Sequence, residues 1–168
     1  MAQATPEQKG ALLRVLSSVG GASALKSVCA AVSDTDGEVR ASAIRALGEW
    51  KTADAAPDLL TLAKSTTNPT ERALCLRSYL GLASNPDMPA GQRLAMCREA
   101  APLAQKPGEK KLLLSALSKI QTADSVALIA PYLDDADTKE EASAAVVAIA
   151  ERLAKGQNAA RALPRLAE

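Results

Sequence analysis

The densest cluster of chemistry-bearing side chains in this chain is the stretch LDDADTKEE, where Asp134, Asp135, Asp137, Glu140 and Glu141 stand within eight residues. Carboxylates so crowded are the oxygen donors a divalent cation needs. The Gly and terminal Glu of a calcium loop are missing, however, so the stretch is expected to be a helix cap in a solvated acidic turn. The run GEKK, Gly108 to Lys111, has no phosphate-loop pattern and reads as the exposed start of a helix. Gly20-Gly21 reads as a helix terminator, and Trp50, the one tryptophan, as a residue packed on the following helix. Cys29, Cys75 and Cys97 are odd in number and far apart, so neither a disulfide framework nor a zinc site follows; they are expected to be small buried hydrophobes, which favours a reducing compartment. The absence of His removes the commonest general acid/base, the commonest metal ligand and the usual partner of a Ser or Cys nucleophile. No catalytic, metal-binding or cofactor-binding residue is assigned, and the chain is not expected to be an enzyme.

The elements that carry these residues follow from composition. Hydrophobic residues make up 48% of the 168 positions but aromatic ones only 2%, with no Phe, so the core must be Leu, Ala, Val and Ile. That favours close helix-on-helix packing over stacked sheets. The balance of 20 basic against 19 acidic residues is far from that of a dedicated nucleic-acid binder. No apolar run approaches the roughly 18 residues of a membrane span. The opening MAQATPEQKG lacks the parts of a signal peptide, so the chain as given is expected to be soluble, and cytoplasmic if it is whole.

Self-similarity gives the architecture. Apolar anchors at Leu13, Ile44, Leu76, Leu114 and Val146 are spaced by 31, 32, 38 and 32 residues. Each is followed three residues later by a second apolar residue, Leu16, Leu47, Tyr79, Leu117 or Ile149, which places a repeated stripe on one helix face. Four residues before the anchors stand Lys9, Arg40, Arg72 and Lys110, and Ala142 breaks the series. Pro6, Pro69 and Pro107 each lie seven residues before an anchor, where the first turn of a helix tolerates proline. Asp34, Asp36 and Asp137 suit N-terminal caps in the other units. A second set of helices is expected at about 22–33, 54–65, 88–105, 124–134 and, incompletely, 157–167. The longer third spacing is assigned to SNPDMPAGQRLAM. One helical hairpin cannot bury both its faces, so the units must stack. The expected fold is all-α: an α-α superhelix of about ten helices, a solenoid of antiparallel pairs forming one domain over residues 1–168. The array is expected to be open at both ends, so that either its end helices serve as caps or the chain is a segment of a longer multidomain protein.

The stretch DTDGEVRASAIRALGEW carries the pattern D-x-x-V-R-x-x-A-x-x-A-L-G in Asp36, Val39, Arg40, Ala43, Ala46, Leu47 and Gly48. It resembles the short HEAT-like repeat of the phycobilisome-lyase type, strongly over residues 34–64 and fairly elsewhere. The tetratricopeptide aromatic positions and the ankyrin T-P-L-H turn are unmatched. The resemblance implies a right-handed superhelix in which the Val-Arg helix lines the concave side. It also implies prolines in the other helix, matched by Pro57, Pro102, Pro131 and Pro164, and a turn Asp paired with the next helix's Arg, as Asp34 or Asp36 with Arg40. The positions pointing away from the core stripe would then form a binding groove: Arg14, Ser42, Arg45, Glu49, Arg77, Lys111, Ser115 and Lys119. Arg14, Arg45 and Arg77 in adjacent units would form a basic row able to clamp an acidic peptide or phosphate, or would only solubilise the groove and pair with Glu49, Glu38 or Glu71.

The function this implies is a non-catalytic interaction or scaffolding module binding a protein or peptide, acidic where the basic row engages it, and working as a monomer away from membranes. Two other classes share the repeat. A nucleic-acid-binding HEAT-like protein would need a strongly basic face with aromatics, which the formal charge of +1 and three aromatic residues do not supply. A bilin-lyase-like subunit has no residue here beyond the shared repeat to support it.

Overall fold

A computed structural model describes residues 4–162, with side chains over 4–155. It is all-α among the described residues, with two helix types alternating along the chain. The anchor-bearing helices are α1 (Pro6–Val19), α3 (Gly37–Gly48), α5 (Pro69–Ala83), α7 (Pro107–Leu117) and α9 (Lys139–Ala162). Between them lie α2 (Ala22–Ala31), α4 (Ala56–Ser65, entered through a 3₁₀ turn at Ala53–Ala55), α6 (Ala90–Ala100) and α8 (Ala123–Ile129). The described backbone clusters into two compact units that divide between Leu82 and Ala83.

Local chemistry explains the boundaries. Pro6, Pro69 and Pro107 each open a helix, where the missing N–H has no intrahelical partner. Thr5 and Gln8 close a capping box around the start of α1, and Asp36 caps α3 by accepting from the Glu38 and Val39 amides. Gly20 and Gly21, at φ 71° and 87°, separate α1 from α2 in backbone conformations that favour glycine. Pro102 and Pro131 lie in 3₁₀ turns, Ala101–Leu103 and Ala130–Tyr132, that continue α6 and α8; proline cannot donate the helical bond there, and the helix tightens.

In the first unit Leu13, Val28, Val39, Ile44, Leu47 and Leu59 are buried, and α1 packs most extensively on α3. In the second, Leu113, Leu114, Leu117, Ile120, Ile129 and Ile149 form the core, with α7 packed on α6, α8 and α9. Four anchors are buried; the fifth, Val146, is half-buried, because α9 turns Ala142, Ala145 and Ile149 inward instead. Trp50 is buried just past α3. One helix face is apolar and open: Leu12, Val15 and Val19 of α1 are 44%, 58% and 74% exposed.

Two expectations need correction. No break precedes residue 157; α9 continues to Ala162, so nine α-helices stand among the described residues. A lone Gly156 costs a helix only about 1 kcal/mol and does not end it. The remainder of that expected helix, with Pro164, lies outside the described residues. Asp137 is not the cap of α9, which begins after Thr138; its amide instead donates to the Asp135 carboxylate at 3.0 Å.

Candidate binding groove

Residues at matched repeat positions meet between α1 and α3. Gly10 faces Ser42 so closely that a methyl added to the glycine would lie 3.1 Å from the serine hydroxyl. The helices therefore approach along a seam of small side chains, and Glu7 and Arg14 of α1 are matched by Glu38 and Arg45 at the same repeat positions of α3. These residues line a single open pocket of about 430 Å³ together with Pro6, Gly10, Ser42 and Glu49. Four of the eight groove residues expected from sequence, Arg14, Ser42, Arg45 and Glu49, are thus brought together. Arg14, Arg45, Glu7, Glu38 and Glu49 form no side-chain hydrogen bond or ion pair among the described residues, so their charges face solvent.

The other expected residues sit elsewhere. Lys111 and Ser115 line a second pocket of about 260 Å³ between α7 and α9, but Lys111 is held by Glu141 at 2.6 Å, which raises its pKa and lowers that of the carboxyl. Arg77 and Lys119 are exposed and line neither pocket. Sequence reading named Glu38 only as a possible arginine partner and passed over Glu7, although each stands seven residues before an arginine of the row, a spacing that puts both on the same helix face.

At Lys9 and Lys110 the repeated basic position four before the anchor links one repeat to the next. Lys9 binds Asp34 at 3.1 Å and Lys110 binds Asp135 at 2.5 Å, each pair 25 residues apart, from one anchor helix to the turn before the next. Arg40 reaches no carboxylate; its guanidinium donates to the carbonyls of Asp34 and Thr35. The expected pairing of Arg40 with a turn Asp is therefore replaced by pairing from the preceding repeat, which also accounts for Asp135, opposite the uncharged Ala142.

These bridges set an acid sensitivity. The Asp36 amide and Lys9 hold the Asp34 carboxyl below its ordinary 3.8, and Lys110 and the Asp137 amide do the same for Asp135. A lowered folded-state pKa contributes stability that is complete above the ordinary value and is lost as pH falls through the folded one. Urea midpoints should therefore drop as pH falls below about 4, and D34N/D135N should flatten that drop; a wild-type midpoint level down to pH 2 would contradict it.

Burial controls the thiols. It pushes Cys29 up to about 12, with Asp58 adding to the shift, Cys75 to about 11 with Glu71 adding, and Cys97 to about 12 against the opposing charge of Arg93. At neutral pH they are protonated and poor nucleophiles. Here the folded pKa is raised, so the contribution is complete below the ordinary 9.0 and is lost as pH rises toward 11. Between those values stability should fall by at most about 1.4 kcal/mol per pH unit for each buried thiol, and C75A/C97A should fall less steeply than wild type in urea unfolding at pH 8 to 11.

A family model of HEAT repeats matches residues 1–79, which span α1 to α4 and most of α5. The match is to HEAT repeats at large and not to the phycobilisome-lyase type. No curated protein and no solved structure matches the chain.

Proposed function

Since the chain is a HEAT-like repeat protein, and HEAT repeats generally mediate protein–protein interaction or scaffolding, we propose that it is a non-catalytic binding module that takes a segment of another protein on the exposed face of its anchor helices. The observation that supports this is the convergence of Arg14, Ser42, Arg45 and Glu49 in one open pocket with the guanidiniums unpaired. A guanidinium left without an internal partner keeps its fork of donors available to a carboxylate or carbonyl of a ligand. Arg77 extends the same repeat position into α5, Ser115 lies on α7 and Lys119 just past its end. Lys111 is the weakest contributor, being already bound to Glu141. The resemblance to HEAT repeats supports a concave placement for this face.

The test is affinity capture from an extract of the source cells with wild type and with R14E/R45E, whose fold is checked by circular dichroism. Proteins retained by wild type and lost by the variant are the expected result. An identical set from both would overturn the assignment of this face.

A further inference from the structure

The pocket between α1 and α3 is not the uniformly basic site that the arginine row suggests. It holds three carboxylates, Glu7, Glu38 and Glu49, and two guanidiniums, Arg14 and Arg45, so its charged lining sums to −1. The two signs are segregated. Glu7 and Glu38 lie in the first turns of α1 and α3, while Arg14 and Arg45 lie seven residues further along the same two helices, all four lining the one pocket. Seven residues of helix advance about 10 Å along the axis. That is beyond the three- or four-residue spacing at which side chains on one helix meet, and neither glutamate meets a guanidinium across the pocket. The result is an anionic rail and a cationic rail across the same two helices, with Glu49 one turn beyond the second. Two carboxylates lining one end of a pocket without a cation between them repel each other, and so do two guanidiniums at the other end; a ligand that places a charge against each rail relieves both repulsions at once.

Resting on the reading of this face as the binding surface, we propose that the groove recognises an extended peptide segment carrying both charges, a Lys or Arg against Glu7 and Glu38 and an Asp or Glu against Arg14 and Arg45. An extended chain rises about 3.3 Å per residue, so the two ligand charges are about three residues apart. Ser42 lies between the rails beside Gly10, where its hydroxyl can take a ligand main-chain group. An acid-only peptide would satisfy one rail and be repelled by the other, which gives the groove selectivity against purely acidic and purely basic segments.

The experiment is selection of a random dodecapeptide phage library against wild type, R14E/R45E and E7K/E38K. Wild type should enrich peptides with a basic and an acidic residue about three apart by about tenfold or more over acid-only peptides, the factor that about 1.4 kcal/mol supplies. E7K/E38K, with both rails cationic, should enrich acid-only peptides, and R14E/R45E basic-only ones. Enrichment of acid-only peptides by wild type, or no enrichment over the variants, would overturn the two-rail proposal. The capture experiment decides the broader reading separately: partners lost by R14E/R45E there, with no mixed-charge motif in the selection, would leave the binding face standing and the charge pattern refuted.

Discussion

Arg93→Met is expected to lower the stability of the protein by about 2–4 kcal/mol, a large fraction of the about 5–15 kcal/mol that domains have in total. Arg93 lies in the lengthened third repeat and is only 6% exposed. Its Nε donates to the Ala83 carbonyl at 2.9 Å and a terminal nitrogen donates to the Lys119 carbonyl at 3.2 Å. Ala83 is the last residue of α5 and Lys119 lies just past α7, so both acceptors are helix-end carbonyls that lack an onward helical partner and carry partial negative charge. Methionine keeps the volume of the stem but leaves two carbonyls without that donor, and hydrogen bonds to a charged group are worth about 1.5–3 kcal/mol each. Removing a desolvated cation returns part of that, which is why the full sum is not expected. Arg93→Lys should fall between, since an ammonium is a point charge where the guanidinium is a fork. Arg152 supplies the contrast: it donates to the Ser118 carbonyl at 3.2 Å from an exposed position, and Arg152→Met should change stability by no more than about 0.5 kcal/mol. Urea unfolding of the variants decides the matter; an Arg93→Met protein as stable as wild type would remove the guanidinium from the account.

What could be read in the sequence was what repeats. Helix order, the proline starts, the glycine break and four of five buried anchors follow from periodicities of about 32 and of 3 to 4 residues, which act within one chain segment. Partner choice across segments was not legible in the same way. Lys9 and Arg40 occupy the same repeat position, yet Lys9 crosses to the turn of the next repeat while Arg40 stays on carbonyls of its own turn. Residue type at the far end settles this: 25 residues after Lys9 and Lys110 stands an Asp, and 25 after Arg40 stands Ser65. Arg93 left a signal that went unread, a charged residue four before Cys97 and seven before Ala100 on an otherwise buried face of α6. In the groove the arginines stood out because three of them recur. Glu7 and Glu38 recur only twice, and their importance depends on the close approach of α1 and α3, which packing fixes and spacing alone does not.

Leu47→Ala should lower stability by about 3–5 kcal/mol, with Leu12→Ala costing less than about 0.5 kcal/mol. The two changes delete the same atoms from anchor helices of the same type. Leu47 is fully buried while Leu12 is 44% exposed, so the comparison isolates burial. The cost at Leu47 is set at the upper end by what surrounds the stripe. Its neighbours along α3 are Ala43 and Ala46, both fully buried, and with no Phe in the chain few large side chains can swing into the space. A cavity that cannot be refilled retains nearly its full penalty, whereas a core with mobile large residues recovers part of it. The same scarcity explains the close seams between anchor helices, where a methyl on Gly48 would lie 2.5 Å from the Ser78 hydroxyl. A backbone approach that tight leaves little room for α3 to shift inward and close the hole. Arg45 on this helix and Glu49 at its C-cap, two residues to either side of Leu47, carry their part of the groove, so a loosened α3 should also blur the charge pattern that the peptide selection reads. Equal unfolding midpoints for Leu47→Ala and Leu12→Ala would show that the repeated stripe is not what holds the first unit together.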